Sequence, residues 1–81
     1  MKGMKILFTK HAKEMLLQRR IPQAKVVECL NDPDKVIDSK ESKNIYIKDF
    51  GNNFLKVIAA TERETYIVIT LYWLAKKRLK K

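Results

Sequence analysis

One histidine, three tyrosines and 18 lysines and arginines are the side chains here best equipped for acid–base and anion chemistry. That set suits a phosphodiester. Cleaving RNA without a metal requires a base for the 2′-hydroxyl, cations for the charge that builds on the phosphorane oxygens, and an acid for the departing 5′-oxygen. An imidazole ordinarily titrates near neutrality and can serve at either end of that proton transfer. His11, Arg19, Lys56 and Tyr72 are the candidate catalytic residues. Lys48 and Lys56 are candidates to bind phosphate, with Tyr46 and Tyr66 stacking bases beside them. Each has a plainer reading as well. Lysines and tyrosines are ordinary occupants of an open sheet face. A histidine in a first helical turn can bond a neighbouring loop, and an arginine at a helix end complements the helix dipole.

Other chemistries find little support in the residues. With only two glycines, the chain has no phosphate-cradling or dinucleotide-binding loop, no HExxH and no Gly-x-Ser-x-Gly elbow. His11 is the sole imidazole, and Asp32, Asp34 and Asp38 are spread over a turn and a strand, so no metal or cofactor is expected. Cys29 is the only cysteine, which rules out an intrachain disulfide and fits a reducing, cytoplasmic interior. No segment approaches the roughly 20 apolar residues of a membrane span, and the N-terminal residues do not form a signal peptide.

The net charge of +9 draws such a chain towards polyanions. Its distribution is uneven, and residues 76–81 alone contribute +5. The 81 residues suffice for one core, expected over 1–75, followed by a basic tail over 76–81. Within the tail, Lys76, Lys77 and Arg78 are candidate anchors for phosphate; a solvated, frayed end is the alternative.

The elements that must position these residues follow from periodicity. The strongest segment is Glu64–Trp73, rich in β-branched and aromatic residues, with Ile67, Ile69, Leu71 and Trp73 on one face. Ile45–Phe50 and Phe54–Ala60 repeat the asymmetry, which predicts an antiparallel meander. Odd-length loops would set Ile47, Val57 and Ile69 in one buried row and Ile45, Ala59 and Ile67 in another. Tyr46, Lys48, Lys56, Tyr66, Thr70 and Tyr72 would then share the open face with Phe50, Phe54, Ile58 and Val68. Upstream, Lys5–Phe8 reads as an edge strand and Thr9 as an N-cap. A helix from about Lys10 to Arg19 or Arg20 would bury Ala12, Met15 and Leu16. Pro22 opens a second helix, about Gln23–Leu30, that turns Val26, Val27, Cys29 and Leu30 to the sheet. Asp34–Asp38 reads as another edge strand.

Phe8-Thr9-Lys10-His11-Ala12, then Arg19 and Ile21, then Asn31-Asp32-Pro33, and finally Thr70-Leu71-Tyr72-Trp73 resemble a branch of the RelE/ParE-like proteins. The HA-x-x-R-M-x-x-R-G-I-like signature of that branch matches at His11, Ala12, Arg19 and Ile21. It departs at Met15, where an arginine would fall, and at Arg20, where glycine would fall. The resemblance implies an α+β fold, with an N-terminal two-helix hairpin packed on one face of a twisted antiparallel sheet of three to five strands. It further implies the toxin of a toxin–antitoxin pair, acting as a metal-independent endoribonuclease on mRNA. The ribosome and an acidic or amphipathic antitoxin are the partners this would bring. The alternatives are a non-catalytic nucleic-acid-binding module and an antitoxin-type protein-interaction domain on the same scaffold.

Overall fold

A computed structural model describes residues 5–39 and 41–75. The elements run β1 (Lys5–Phe8), α1 (Lys10–Gln18), α2 (Gln23–Asn31), β2 (Lys35–Asp38), β3 (Lys43–Asp49), β4 (Asn53–Glu62) and β5 (Thr65–Ala75). The fold is α+β. Both helices pack on one face of a five-stranded sheet of order β1-β5-β4-β3-β2. The helical pair carries the chain from one sheet edge to the other, and the meander β2 to β5 brings it back to β1. β1 therefore pairs with β5 in parallel, and the sheet is mixed, not wholly antiparallel as expected.

Thr9 caps α1: its Oγ1 accepts from the Ala12 amide at 3.1 Å and donates to the Ile69 carbonyl at 3.3 Å. Ala12, Met15 and Leu16 are buried, as their spacing predicts. The Ile21 amide donates to the Leu16 carbonyl at 3.0 Å and the Arg20 amide to the Leu17 carbonyl at 3.3 Å, the double closure of a Schellman turn. Arg20 occupies its left-handed position at φ 54°. Ile21, only 3 % exposed, plugs the hairpin. Pro22 is the N-cap of α2 and not its first helical residue. α2 buries Val26, Cys29 and Leu30. The Cys29 thiol lies 3.6 Å from the Tyr46 carbonyl and 3.7 Å from that of Leu55.

The strand register departs from expectation at three places, the two hairpin turns and a bulge in β5. The β3–β4 turn closes with the Phe50 amide on the Asn53 carbonyl at 3.0 Å, while Asp49 Oδ1 accepts from the Gly51 amide at 2.8 Å. This Asx-type closure, with Gly51 at φ 99°, makes an even-length loop that pairs Asp49 with Phe54. Tyr46 then faces Val57 on the helix side, and Ile45 and Ile47 face the uncovered side opposite Ile58 and Lys56. The β4–β5 turn is also even, pairing Glu62 with Thr65, and a bulge opposite Ile58/Ala59 then leaves Ile69 unpaired, so Val57 meets Leu71 and not Ile69. A bulge shifts the alternation by one residue. Leu71 and Trp73 point to the helices as expected, but below the bulge Val68 and Tyr66 do so in place of Ile69 and Ile67. Phe50 also packs against the core, whereas it was expected on the open face. The fully buried centre comprises Leu55, Val57, Ala59, Val68 and Leu71 against Val26 and Cys29.

Candidate nucleic-acid interface

Two of the candidates meet on the uncovered face. Lys56 and Tyr72 pair across β4 and β5, and the lysine Nζ lies 5.3 Å from the centre of the tyrosine ring. Thr70 stands two residues before Tyr72 on the same side, opposite Ile58. β1 pairs only with residues 65–68 of β5, so from Ile69 onwards this edge has no neighbour among the described strands. His11, in the first turn of α1, reaches that edge with Nε2 3.3 Å from Thr70 Oγ1. His11, Thr70, Tyr72 and Lys56 thus form one strip holding an imidazole, two hydroxyls and an ammonium. Alternation with Tyr72 puts Thr70 on this face, and only the fold brings its hydroxyl to the imidazole.

The other candidates lie elsewhere. Tyr46 is 6 % exposed and faces the helices, the consequence of the even-length turn. Tyr66 is carried to the same side by the two-residue β4–β5 turn, which sets it opposite Thr61, and it meets Tyr46 edge-on at 5.7 Å. Burial pushes the Tyr66 phenol up, with a smaller contribution from Tyr46. Neither ring is placed to stack a base on the open face.

Lys48 also turns to the helix side. Its ammonium snorkels to the margin, 3.0 Å from the Asp32 carbonyl and 3.3 Å from the Asp32 carboxylate. Desolvation works to lower its pKa, but the Asp32 hydrogen bond and charge, with Asp34 and Glu28 behind them, outweigh it and the net shift is upward. Lys48 is therefore committed to Asp32 and is not adjacent to Lys56.

Arg19 is the exposed C-cap of α1, eight positions beyond His11 and so about 12 Å further along the helix. It does not join the strip. Lys76, Lys77 and Arg78 lie outside the described residues.

Among the described residues no three His, Cys, Asp or Glu side chains converge as a metal site. No helix among them is long and apolar enough to cross a membrane.

No curated protein and no solved structure matches the chain. Residues 8–73, from the end of β1 through Trp73, match a domain of unknown function, DUF4258. That span takes in both helices, the meander and all four residues of the strip, and the chain belongs to the DUF4258 family.

Proposed function

We propose that this DUF4258 member is a RelE/ParE-like protein that cleaves RNA without a metal, using the uncovered face of its sheet. The observation that supports this is the strip itself: His11 on Thr70 at 3.3 Å, with Tyr72 and Lys56 continuing along the same two strands. In this reading His11 takes the proton of the 2′-hydroxyl as that oxygen attacks phosphorus. The Lys56 ammonium stabilises the charge arising on the non-bridging oxygens. The phosphorus bond to the 5′-oxygen breaks, and Tyr72 donates the proton that the leaving oxygen needs. The products are a 2′,3′-cyclic phosphate and a free 5′-hydroxyl. The protein would act in the cytoplasm on mRNA, alone or on the ribosome, and an acidic or amphipathic antitoxin segment would neutralise it.

A second reading is favoured by one observation. Lys56 is the only lysine or arginine of the strip, because Arg19 lies at the far end of α1 and Lys48 turns to Asp32 on the helix side. A strip with one ammonium beside a tyrosine suits binding of a single strand better than stabilisation of a dianionic phosphorane. Incubating purified protein with RNA in excess EDTA, with and without ribosomes, separates the two. Cyclic-phosphate ends support cleavage. Intact RNA together with a salt-dependent affinity supports a binding module, and inducible expression that leaves growth unaffected removes the toxin role.

A further inference from the structure

On the helix side, where β3 turns into β4, a pocket of about 330 Å³ opens between Lys25, Phe50, Asn52, Asn53 and Trp73. It is separate from the strip, since Trp73 points to the opposite side of the sheet from its neighbour Tyr72. Phe50 and Trp73 meet edge-on, with ring centres 6.0 Å apart at 89°. Both rings pack against the core on one side, and each residue keeps part of its surface exposed at the pocket. Lys25 Nζ lies 4.6 Å from the centre of the Phe50 ring. Lys48 stands 6.0 Å from that centre but is tied to Asp32, which leaves Lys25 as the cation at the pocket. The Asn52 and Asn53 carboxamides form no side-chain hydrogen bond among the described residues.

This lining specifies a ligand. Aromatic surface favours a flat ring, two carboxamides offer donors and acceptors to the edge of a heterocycle, and a lysine with no carboxylate in the lining favours a negative charge. The volume is that of a small-ligand site. The geometry points to a nucleotide-binding pocket in which the base lies against Trp73 and Phe50, Asn52 and Asn53 meet its polar edge, and Lys25 meets the phosphate. The nucleotide is either free or part of a single strand. The inference does not rest on cleavage by the strip.

Trp73 is the only tryptophan of the sequence, so its fluorescence reports on this pocket directly. The full chain is titrated with AMP, GMP, CMP and UMP, with a 2′-O-methyl oligonucleotide that cannot be cleaved, and with ribose 5-phosphate. Saturable quenching by at least one mononucleotide or by the oligonucleotide is expected, with none from ribose 5-phosphate. Tighter binding of the oligonucleotide identifies a strand as the ligand, and equal binding of the mononucleotide identifies a free nucleotide. Lys25→Ala should weaken binding several-fold, and Phe50→Leu by roughly five- to a hundredfold. Should Phe50→Leu unfold the protein, Lys25→Ala carries the test. Lys56→Ala and His11→Ala should leave mononucleotide quenching unchanged, so loss of cleavage and loss of this site are read independently. No quenching by any nucleotide or by the oligonucleotide overturns the proposal, as does an equal response to ribose 5-phosphate.

Discussion

Val57 and Ile58 are neighbours on β4, yet Val57 has no exposed surface, whereas Ile58, on the other side of the sheet, retains some. The two faces of this sheet differ in the same way throughout. The helix side collects Leu55, Val57, Ala59, Val68 and Leu71, and absorbs the aromatic rings of Tyr46 and Tyr66 around them. Its one lysine on β3 extends to the margin to find Asp32. The uncovered side intersperses Ile45, Ile47, Ile58 and Ile67 with Lys56, Thr70 and Tyr72. Apolar strand residues are thus present on both faces, and what separates the faces is whether the helices cover them. Stability is concentrated on one side, and polar groups capable of chemistry remain on the other.

The largest test of this contrast places the same charge on both faces. Val57→Asp buries an unpaired carboxylate and should cost more than about 4 kcal/mol, a large part of the stability of a domain this size. Ile58→Asp should cost about 1–2 kcal/mol. Urea midpoints measure both, and equal losses would mean that the faces are not distinct. Next comes a separation of turnover from folding. Lys56→Ala should cut RNA cleavage by about 100- to 1,000-fold, or about 2.7–4 kcal/mol of transition-state stabilisation, while leaving the melting temperature nearly unchanged. His11→Ala should slow turnover without loss of stability if the imidazole acts on substrate; a lowered melting temperature at full activity would assign it to the Thr70 contact alone.

The covered face also has a pH signature. Burial pushes the Cys29 thiol from 9.0 to about 12; Lys48 opposes the shift, and Asp34 and Glu28 add to it. Because the folded value lies above the unfolded one, this contribution is intact below pH 9 and is lost as pH rises towards 12. The loss amounts to about 1.4 kcal/mol per pH unit. The stability advantage of the wild type over Cys29→Ala should therefore shrink between pH 9 and 10.5 in denaturant titrations, and a constant difference would refute the shift. The smallest expected effect is at the helical hairpin. Arg20 holds φ 54° where glycine is unstrained, so Arg20→Gly should stabilise the cover by about 0.5–1 kcal/mol, measured as a rise in melting temperature.

What was legible in the sequence was whatever depends on local pattern. Thr9 as N-cap, the Ala12–Met15–Leu16 stripe, the Pro22 break and both edge strands follow from spacing and propensity, and all are present. Facing was legible only where the turns and bulges left the alternation intact or offset one another. Lys56 and Tyr72 share the uncovered face as expected because the even β4–β5 turn and the bulge at Ile69 cancel. Tyr46 and Lys48 differ from expectation through the Asp49–Gly51 closure, which changes the β3–β4 turn by one residue, and Tyr66 through the two-residue β4–β5 turn. A period of two transmits every such error to a whole strand. The His11–Thr70 contact spans 59 positions and depends on β1 ending where it does, which no local pattern encodes.

The parallel pairing of β1 with β5 also sets an order of events. β1 and the cap of α1 find their hydrogen-bond partners at residues 64–69, with Thr9 and Ile69 60 positions apart. During synthesis the N-terminal segment emerges long before the strand it pairs with, and this high contact order delays its closure until β5 has left the ribosome. The meander can form from local hairpins, but its edge is sealed last. The contact of His11 with Thr70 is made in the same step, so the strip is not assembled until β5 has been synthesised and paired.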